Sequence, residues 1–346
     1  MRLIGNILVV FVLISCDASN KTPNVSDIKV NVKIERFDKD FFSLDTNRLD
    51  QSLNELHKKY PSFLPLYFEF LSPINSMTKQ QGKTYDEAVK IFYRTIKPLA
   101  DVVDKKYNNL DNVKSGLEQS FKYIKHYYPG FTIPEVVTSV ESFNPDDAQE
   151  VYGTTYYHDT LIISLQMFLG KDFTGYDPVR YPDYLRRRFD REYIVPNSIR
   201  SIANNIYVDT SESSSLIEQM IERGKQWYLL QNFLPDAADT LITGYTKSQA
   251  QFILKNEGNI WGEFLKNTPD PYTVDQERLK NYLSQGPFTQ DMPHDLAGNG
   301  TPGNIGQWIG WRIVQKFVEK NSGMDVQQIL HTPAKTIFQE AKYKPK

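Results

Sequence analysis

The five histidines are the first candidates for catalytic chemistry, because imidazole can bind a metal ion or act as a general base near neutral pH. They are His57, His126, His158, His294 and His331. Their successive separations are 69, 32, 136 and 37 residues, so no helix carries His-Glu-x-x-His, the motif that places two zinc ligands on one helix face. A metal-dependent hydrolase would need ligands from distant segments. The ligand set that we consider for it is His158, Asp291, His294 and Asp295.

The remaining composition excludes several other classes of protein. The sequence has no Gly-x-x-x-x-Gly-Lys-Ser/Thr loop and no Gly-x-Ser-x-Gly nucleophile elbow. Its single cysteine excludes an internal disulfide framework and a Cys-based zinc site. Among 346 residues, 40 Lys and Arg balance 42 Asp and Glu, a net charge of −2, which gives no basic surface for nucleic acid. We therefore expect no cofactor and no nucleic-acid partner.

One basic run stands out from this balanced background. Arg186, Arg187 and Arg188 are consecutive and are flanked by Asp183 and Asp190. The flanking carboxylates favour a solvated helix face with local ion pairs. The alternative is an anion-binding site.

The segment 302–314 is the most unusual part of the chain. Its apolar residues recur at helical spacing over a wide arc, which predicts a largely buried helix over residues 305–321. Gly306 and Gly310 lie four residues apart, and each is unfavourable in a helix by about 1 kcal/mol relative to Ala. We therefore expect another backbone to pass close to this row of glycines.

The same helix supplies the candidate binding residues. Arg312 begins in apolar surroundings, so it needs a carboxylate or a ligand as its partner, or else loop carbonyls. Trp308 and Trp311 flank it. Upstream lies a proline-punctuated loop over residues 287–295, which contains Asp291 and His294. A ligand site is expected where this loop meets Arg312.

The lone cysteine, Cys16, follows a basic head and a short apolar run over residues 7–14. This run is too short to span a bilayer and is typical of an export signal. The sequence Leu-Ile-Ser-Cys at its end is similar to a bacterial lipobox, in which the cysteine receives diacylglycerol. We therefore predict a signal peptide over residues 1–15 and a lipidated Cys16 at the start of a flexible tether over residues 16–27.

The elements that must position these residues belong to a mainly helical α+β domain over residues 28–346. Alternating polarity predicts a strand over 28–35, and β-rich runs predict strands over 132–140 and 160–165, which together give a small antiparallel or mixed sheet. Helices are expected in the first half after Thr84 and Asp111. In the second half they are expected over 182–190, 198–208, 214–232, 247–256, 274–283, 305–321 and 326–330.

Several of these features together resemble the gliding motility lipoprotein GldB family of the Bacteroidetes. They are the lipobox, the segment 35–42 (ERFDKDFF), the entry at 164–170 and the block Gly306-Gln307-Trp308-Ile309-Gly310-Trp311. The resemblance implies a lipoprotein that is anchored in a membrane, faces the periplasm and supports gliding motility. It also implies envelope protein partners in the motility machinery.

GldB-like proteins are in turn similar to a family of predicted zinc-dependent proteases. The helix that corresponds to the zinc motif should lie over residues 197–208. Its polar pairs at i,i+4 are Arg200 with Asn204 and Ser201 with Asn205, and neither pair can replace two imidazoles as zinc ligands. We therefore expect a zincin-like scaffold without the metal site, which is not an enzyme and binds a partner. Two alternatives remain open: the hydrolase with dispersed ligands, and a glycan-binding lipoprotein of the outer membrane that uses Trp308 and Trp311.

Overall fold

A computed structural model describes residues 22–143, 152–296 and 298–346. The predictions for the signal peptide and for Cys16 therefore lie outside the described residues. The predicted tether is already partly packed where the description begins, because Val25 is 5% exposed and its carbonyl accepts a hydrogen bond from the Ile28 amide. Within the described residues, no helix combines the length and the apolar character that crossing a membrane requires.

A four-stranded mixed sheet occupies the first half, as predicted. Its strands are β1 (Ile34–Glu35), β2 (Glu135–Ser139), β3 (Thr154–Tyr157) and β4 (Thr160–Ser164). The spatial order is β1-β2-β4-β3. The strands β1, β2 and β4 run parallel, and β3 is antiparallel to β4.

Two details of the sheet differ from the sequence prediction. The strand expected over 28–35 pairs only at Ile34–Glu35; upstream, Val32 is buried, and its amide donates to the Glu118 carboxylate at 3.0 Å. Alternating polarity therefore indicates an extended chain with two different sides, whether or not that chain pairs with a neighbouring strand. The second difference is β3, which the sequence analysis missed. It joins β4 through His158 and Asp159, which both have positive φ angles (45° and 56°), as a two-residue hairpin turn requires.

Helices form the rest of the structure, as predicted. The first half contains α1 (Phe37–Phe41), α2 (Leu49–Lys59), α3 (Phe63–Leu66), α4 (Ile74–Gln81), α5 (Tyr85–Lys106) and α6 (Asp111–Tyr127). The second half contains α7 (Asp183–Arg186), α8 (Ile194–Ile206), α9 (Leu216–Phe233), α10 (Asp239–Thr243), α11 (Lys247–Lys255), α12 (Glu257–Asn267), α13 (Gln276–Leu283), α14 (Ile305–Lys320), α15 (Val326–His331) and α16 (Ala334–Ala341). Thr84 closes the expected capping box at the start of α5.

Some helix boundaries differ from expectation. In the helix predicted over 182–190, only the residues of α7 are α-helical. The helix predicted to begin at residue 198 starts earlier, at Ile194, because proline is tolerated in the first turn of a helix, where Pro196 lies. The sequence analysis missed α10, α12 and α16. Buried apolar residues from both halves of the chain form one continuous cluster.

The closest approach between helices is between α9 and α14, at Gly224 and Gly310. A Cβ placed on Gly310 would lie 1.7 Å from the Met220 carbonyl oxygen, and one on Gly224 would lie 2.3 Å from the carbonyl carbon of Gly310. A Cβ placed on Gly306 would likewise lie 2.9 Å from the Tyr282 carbonyl oxygen. The expectation that another backbone passes along this row of glycines is confirmed.

Replacing Gly310 with Ala should therefore lower the free energy of unfolding by about 2 kcal/mol or more, because the new methyl group overlaps the backbone of α9. The matched control is Gly262→Ala in α12, where a Cβ would meet nothing within 4 Å. There the gain in helix propensity should raise stability by about 0.5–1 kcal/mol. Chemical denaturation of both variants measures the difference, and equal stabilities would contradict the close contact.

Candidate functional site

A cleft lies between the C-terminal end of α6, the helices α9 and α14, and the turn that leads into α15. Its volume is about 910 Å³. Side chains from four helices (α6, α9, α14 and α15) line it, among them Tyr127, Tyr228, Gln231, Arg312 and Gln315. Thr22 and Pro23, the first two residues of the described chain, also line it. The cleft is therefore adjacent to the N-terminal end of the described chain.

Arg312 is the charged side chain that the sequence analysis singled out, and its partner is a carboxylate. Its Nε lies 2.8 Å from Glu257 Oε1, and one terminal nitrogen donates to Gln315 at 2.7 Å. Tyr343 donates to the same Glu257 oxygen at 2.6 Å. Burial alone would lower the pKa of Arg312, but the hydrogen bond and the charge of Glu257 outweigh it and raise that pKa. The pair thus fixes one wall of the cleft.

Both tryptophans beside Arg312 belong to the core. Trp308 is 3% exposed and Trp311 is 2% exposed. Trp311 packs edge to face against Trp227, with 5.9 Å between ring centroids. Since neither ring presents an open face to solvent, this arrangement does not favour sugar stacking on them.

Among the described residues, no hydrogen bond or ion pair joins the loop over residues 287–295 to Arg312, so these contacts give no support to a ligand site where the two meet. Thr289 and Thr301 pair through their backbones at 2.9 Å, and His294 forms an isolated bridge with Gly300. The carbonyl of Asp291 accepts a hydrogen bond from Asn267 at 2.9 Å. The loop therefore folds back on itself, and the hydrogen bonds of Arg312 go to Glu257 and Gln315 instead.

A glycine pattern at the end of this loop was overlooked in the sequence analysis. Gly298, Gly300 and Gly303 match the spacing Gly-x-Gly-x-x-Gly and precede α14. A dinucleotide site would require a strand directly before the pattern, but here a loop precedes it. Gly303 instead packs against the backbone of Gly286, where a Cβ would lie 2.4 Å from the amide nitrogen. The pattern serves packing in this structure.

The helix expected to carry the degenerate zinc motif is α8. Ser201 donates to the Thr154 carbonyl at 3.0 Å and so attaches the helix to β3, while Asn204 and Asn205 are exposed. Arg200 instead donates to the Ile242 carbonyl and lies over the ring of Tyr152. The two polar pairs therefore do not converge on one point.

The two histidines considered as ligands of a dispersed metal site lie in different structural elements. His158 occupies the hairpin turn between β3 and β4, with its ring against Tyr157, and His294 belongs to the loop described above. Among residues 22–143, 152–296 and 298–346, no group of three or more His, Cys, Asp or Glu side chains is placed to hold a metal ion.

The arginine run proves to have two different environments. Arg186 pairs with Asp183, as predicted for a local ion pair. Arg188 is instead 4% exposed and donates to the Thr243 carbonyl at 3.0 Å. Its guanidinium lies 5.7 Å from the ring centre of Tyr152, and Arg200 lies 5.4 Å from the same ring. For Arg188, the solvated helix face was therefore a wrong prediction.

These charges shift one another's pKa values. Burial, and then the neighbouring Arg188, lower the pKa of Arg187 to about 10. Burial is also the main cause that lowers the pKa of Arg200 to about 10. For the Tyr152 phenol, burial acts to raise the pKa, but Arg188 and Arg200 outweigh it and lower that pKa. Three guanidinium groups therefore lie in this part of the fold, and two of them, Arg188 and Arg200, lie over the ring of Tyr152.

A buried carboxyl group was also missed by the sequence analysis. Glu141, two residues after β2, is 8% exposed and accepts a hydrogen bond from Ser164 at the end of β4. Burial raises its pKa, and hydrogen bonds from Ser164 and its neighbours oppose that rise. No local sequence pattern marks this residue as buried.

Comparison with known proteins gives one match. The family described as gliding motility protein GldB matches residues 18–345, nearly the whole chain. No curated protein and no solved structure matches.

The ion pair at the cleft can be tested by a double-mutant cycle. Arg312→Gln should lower the free energy of unfolding by about 1–3 kcal/mol, because Glu257, whose side chain is 12% exposed, loses its cation. Adding Glu257→Gln should recover part of this loss. Lys316→Gln, which breaks the exposed pair with Glu319, serves as the control and should change stability by less than about 0.5 kcal/mol. A coupling energy near zero would show that the pair does not stabilise the wall of the cleft.

Proposed function

The chain belongs to the GldB family of gliding motility proteins, and on that premise we propose that it is a lipid-anchored protein of the cell envelope that supports gliding motility. Its folded body faces the periplasm and acts as a non-catalytic scaffold that binds a protein partner of the motility machinery. The observation that carries this proposal is the position of the cleft beside Thr22 and Pro23, the first described residues after the predicted lipid anchor.

The sequence predicts the position of the lipid anchor. The length of the chain after it limits the distance between the anchor and the folded body. Cys16 is the single cysteine and follows the apolar run of the export signal. Two or three acyl chains on it would hold the protein stably at a membrane, at about 0.8 kcal/mol per buried CH₂. Thr22 lies six positions after Cys16 in the sequence, and six residue steps span at most about 21 Å. The cleft beside Thr22 would therefore lie close to the membrane surface.

The cleft is suited to a protein segment. It combines aromatic rings, such as Tyr127 and Tyr228, with amide groups of Gln231 and Gln315. Aromatic residues and neutral hydrogen-bonding groups are typical of protein interfaces. A partner held in the same membrane would meet this cleft at high effective concentration, because both are confined near one surface.

A catalytic role has less support. The helix α8 offers hydroxyl, amide and guanidinium groups where a zinc protease would need imidazoles, and Arg200 would repel a cation there. The dispersed-ligand hydrolase makes a distinct prediction: near-stoichiometric zinc in the purified protein that is lost in His294→Ala. The buried Trp308 and Trp311 do not support the glycan-binding alternative.

Cys16→Ala tests the anchor. We expect the variant to move from the membrane fraction to the soluble fraction of the cell envelope, since its acyl attachment site is gone, while its thermal unfolding temperature as a purified protein stays unchanged. Immunoblots of separated fractions provide the measurement. A variant that stays in the membrane fraction would contradict lipidation at this residue.

Ser322→Trp tests the cleft. Ser322 is an exposed turn residue that lines it, so an indole there should obstruct a partner and reduce cell spreading. Ser213→Trp is the matched control, because Ser213 is exposed in a similar turn before a capped helix and does not line the cleft. Each variant is expressed in cells that lack the wild-type gene, and protein levels are checked. Normal spreading with Ser322→Trp would contradict partner binding in the cleft, and normal spreading in the deletion strain itself would contradict the motility role.

A further inference from the structure

We propose that the cluster formed by Tyr152, Arg187, Arg188 and Arg200 is a binding site for an oxyanion, either a carboxylate or a phosphate group of a ligand. This site is separate from the cleft, and the proposal does not depend on the motility role.

The three arginines have no carboxylate partner among the described residues. Buried charges in proteins are normally paired, because removing an ion from water costs several kcal/mol. Within residues 22–143, 152–296 and 298–346, no Asp or Glu carboxylate lies within 4 Å of Arg187, Arg188 or Arg200, whereas Arg186 and Arg312 each have one. Three arginines in the same part of the fold therefore share an environment without a described anion.

The hydrogen bonding of these arginines is also incomplete. The Nε atoms of all three arginines are buried and have no hydrogen-bond partner in the described part of the chain. The hydrogen bonds that they do make go to neutral groups. Arg188 and Arg200 donate to the carbonyls of Thr243 and Ile242, at the C-terminal end of α10, and Arg187 donates to the amide oxygen of Gln249 at 2.6 Å. Partial charges on carbonyls cannot neutralise three guanidinium groups.

The N-terminal end of α14 is a further source of positive potential near Arg187. Arg187 lies over the ring of Tyr245 at 5.9 Å. The hydroxyl of Tyr245 donates to the carbonyls of Gly303 and Asn304 at 3.2 and 3.1 Å, directly before the first turn of α14. Tyr245 therefore lies between Arg187 and the N-terminal end of α14, which is the positive end of that helix dipole.

Access from solvent distinguishes this cluster from a sealed structural one. Arg188 is almost fully buried, whereas Arg187, Arg200 and Tyr152 keep part of their surface exposed. An anion would reach the cluster from this exposed part, and guanidinium groups offer paired donors that match carboxylate or phosphate oxygens.

The test is anion binding by the purified full-length protein, measured as a shift in thermal unfolding temperature. Sodium phosphate, sulfate and acetate are titrated separately, with sodium chloride at equal ionic strength as the reference. We expect a saturable stabilisation by at least one oxyanion beyond the effect of chloride, since a ligand that binds the folded state stabilises it in proportion to RT ln(1 + [L]/Kd). A stronger effect of phosphate and sulfate would assign a phosphorylated or sulfated ligand, and a stronger effect of acetate would assign a carboxylate.

Variants locate the effect within the chain. Arg200→Gln should weaken binding at least about tenfold, the loss that corresponds to one charge-assisted hydrogen bond of about 1.4 kcal/mol. Arg187→Gln should do the same and replaces Arg200→Gln if that variant does not fold. Arg191→Gln is the matched control, because Arg191 also lies over a tyrosine ring, that of Tyr107 at 5.6 Å, but outside the cluster. No saturable shift with any of the three anions would overturn the proposal, as would equal weakening by Arg191→Gln.

Discussion

The backbone contact between α9 and α14 is the constraint on which the second half of the structure depends. At Gly224 and Gly310 the two helices approach so closely that neither position has room for a methyl group. This contact fixes their separation and their rotation about each other. Two residues beyond Gly310, Arg312 is thereby directed toward Glu257, and two turns beyond Gly224, Gln231 reaches Gln315 at 3.2 Å. The cleft is the space left where the helices diverge from this crossing.

Buried charges then attach the C-terminal helices to this pair. Lys225, the neighbour of Gly224 in α9, is 1% exposed and donates to Glu222 and to the carbonyls of Leu330 and Thr332. Burial lowers the pKa of Lys225, and the charge of Glu222 offsets part of that effect. Since each oxygen meets a directed donor, α15 can dock in one register only, which is how buried polar groups give specificity even when they add little stability. The Arg312, Glu257 and Tyr343 cluster does the same for α12 and the C-terminal segment.

Local sequence patterns correctly predicted the structural features that have local physical causes. The glycine spacing in α14 predicted a close backbone because a helical glycine has a cost that only packing repays. Periodicity likewise predicted the long helices. The sequence was insufficient where the cause is tertiary. Most of the run at 28–35 alternates in polarity but only Ile34–Glu35 pairs with a strand. Arg188 differs from Arg186 only through what surrounds it, namely Thr243 and Tyr152 rather than Asp183. No spacing rule distinguishes these two arginines.

The environment of α8 bears on both proposals. Arg200 occupies a polar position of α8, the helix proposed to correspond to a zinc motif, and it lies over the ring of Tyr152 together with Arg188. Two guanidinium groups so placed would repel a divalent cation strongly, because electrostatic interactions are larger in a partly buried site than in water. The same field attracts an anion. A helix with this surrounding therefore favours a scaffold that recognises a negatively charged group over one that activates water on zinc. This preference follows from the sign of the charge alone, whichever oxyanion the cluster binds.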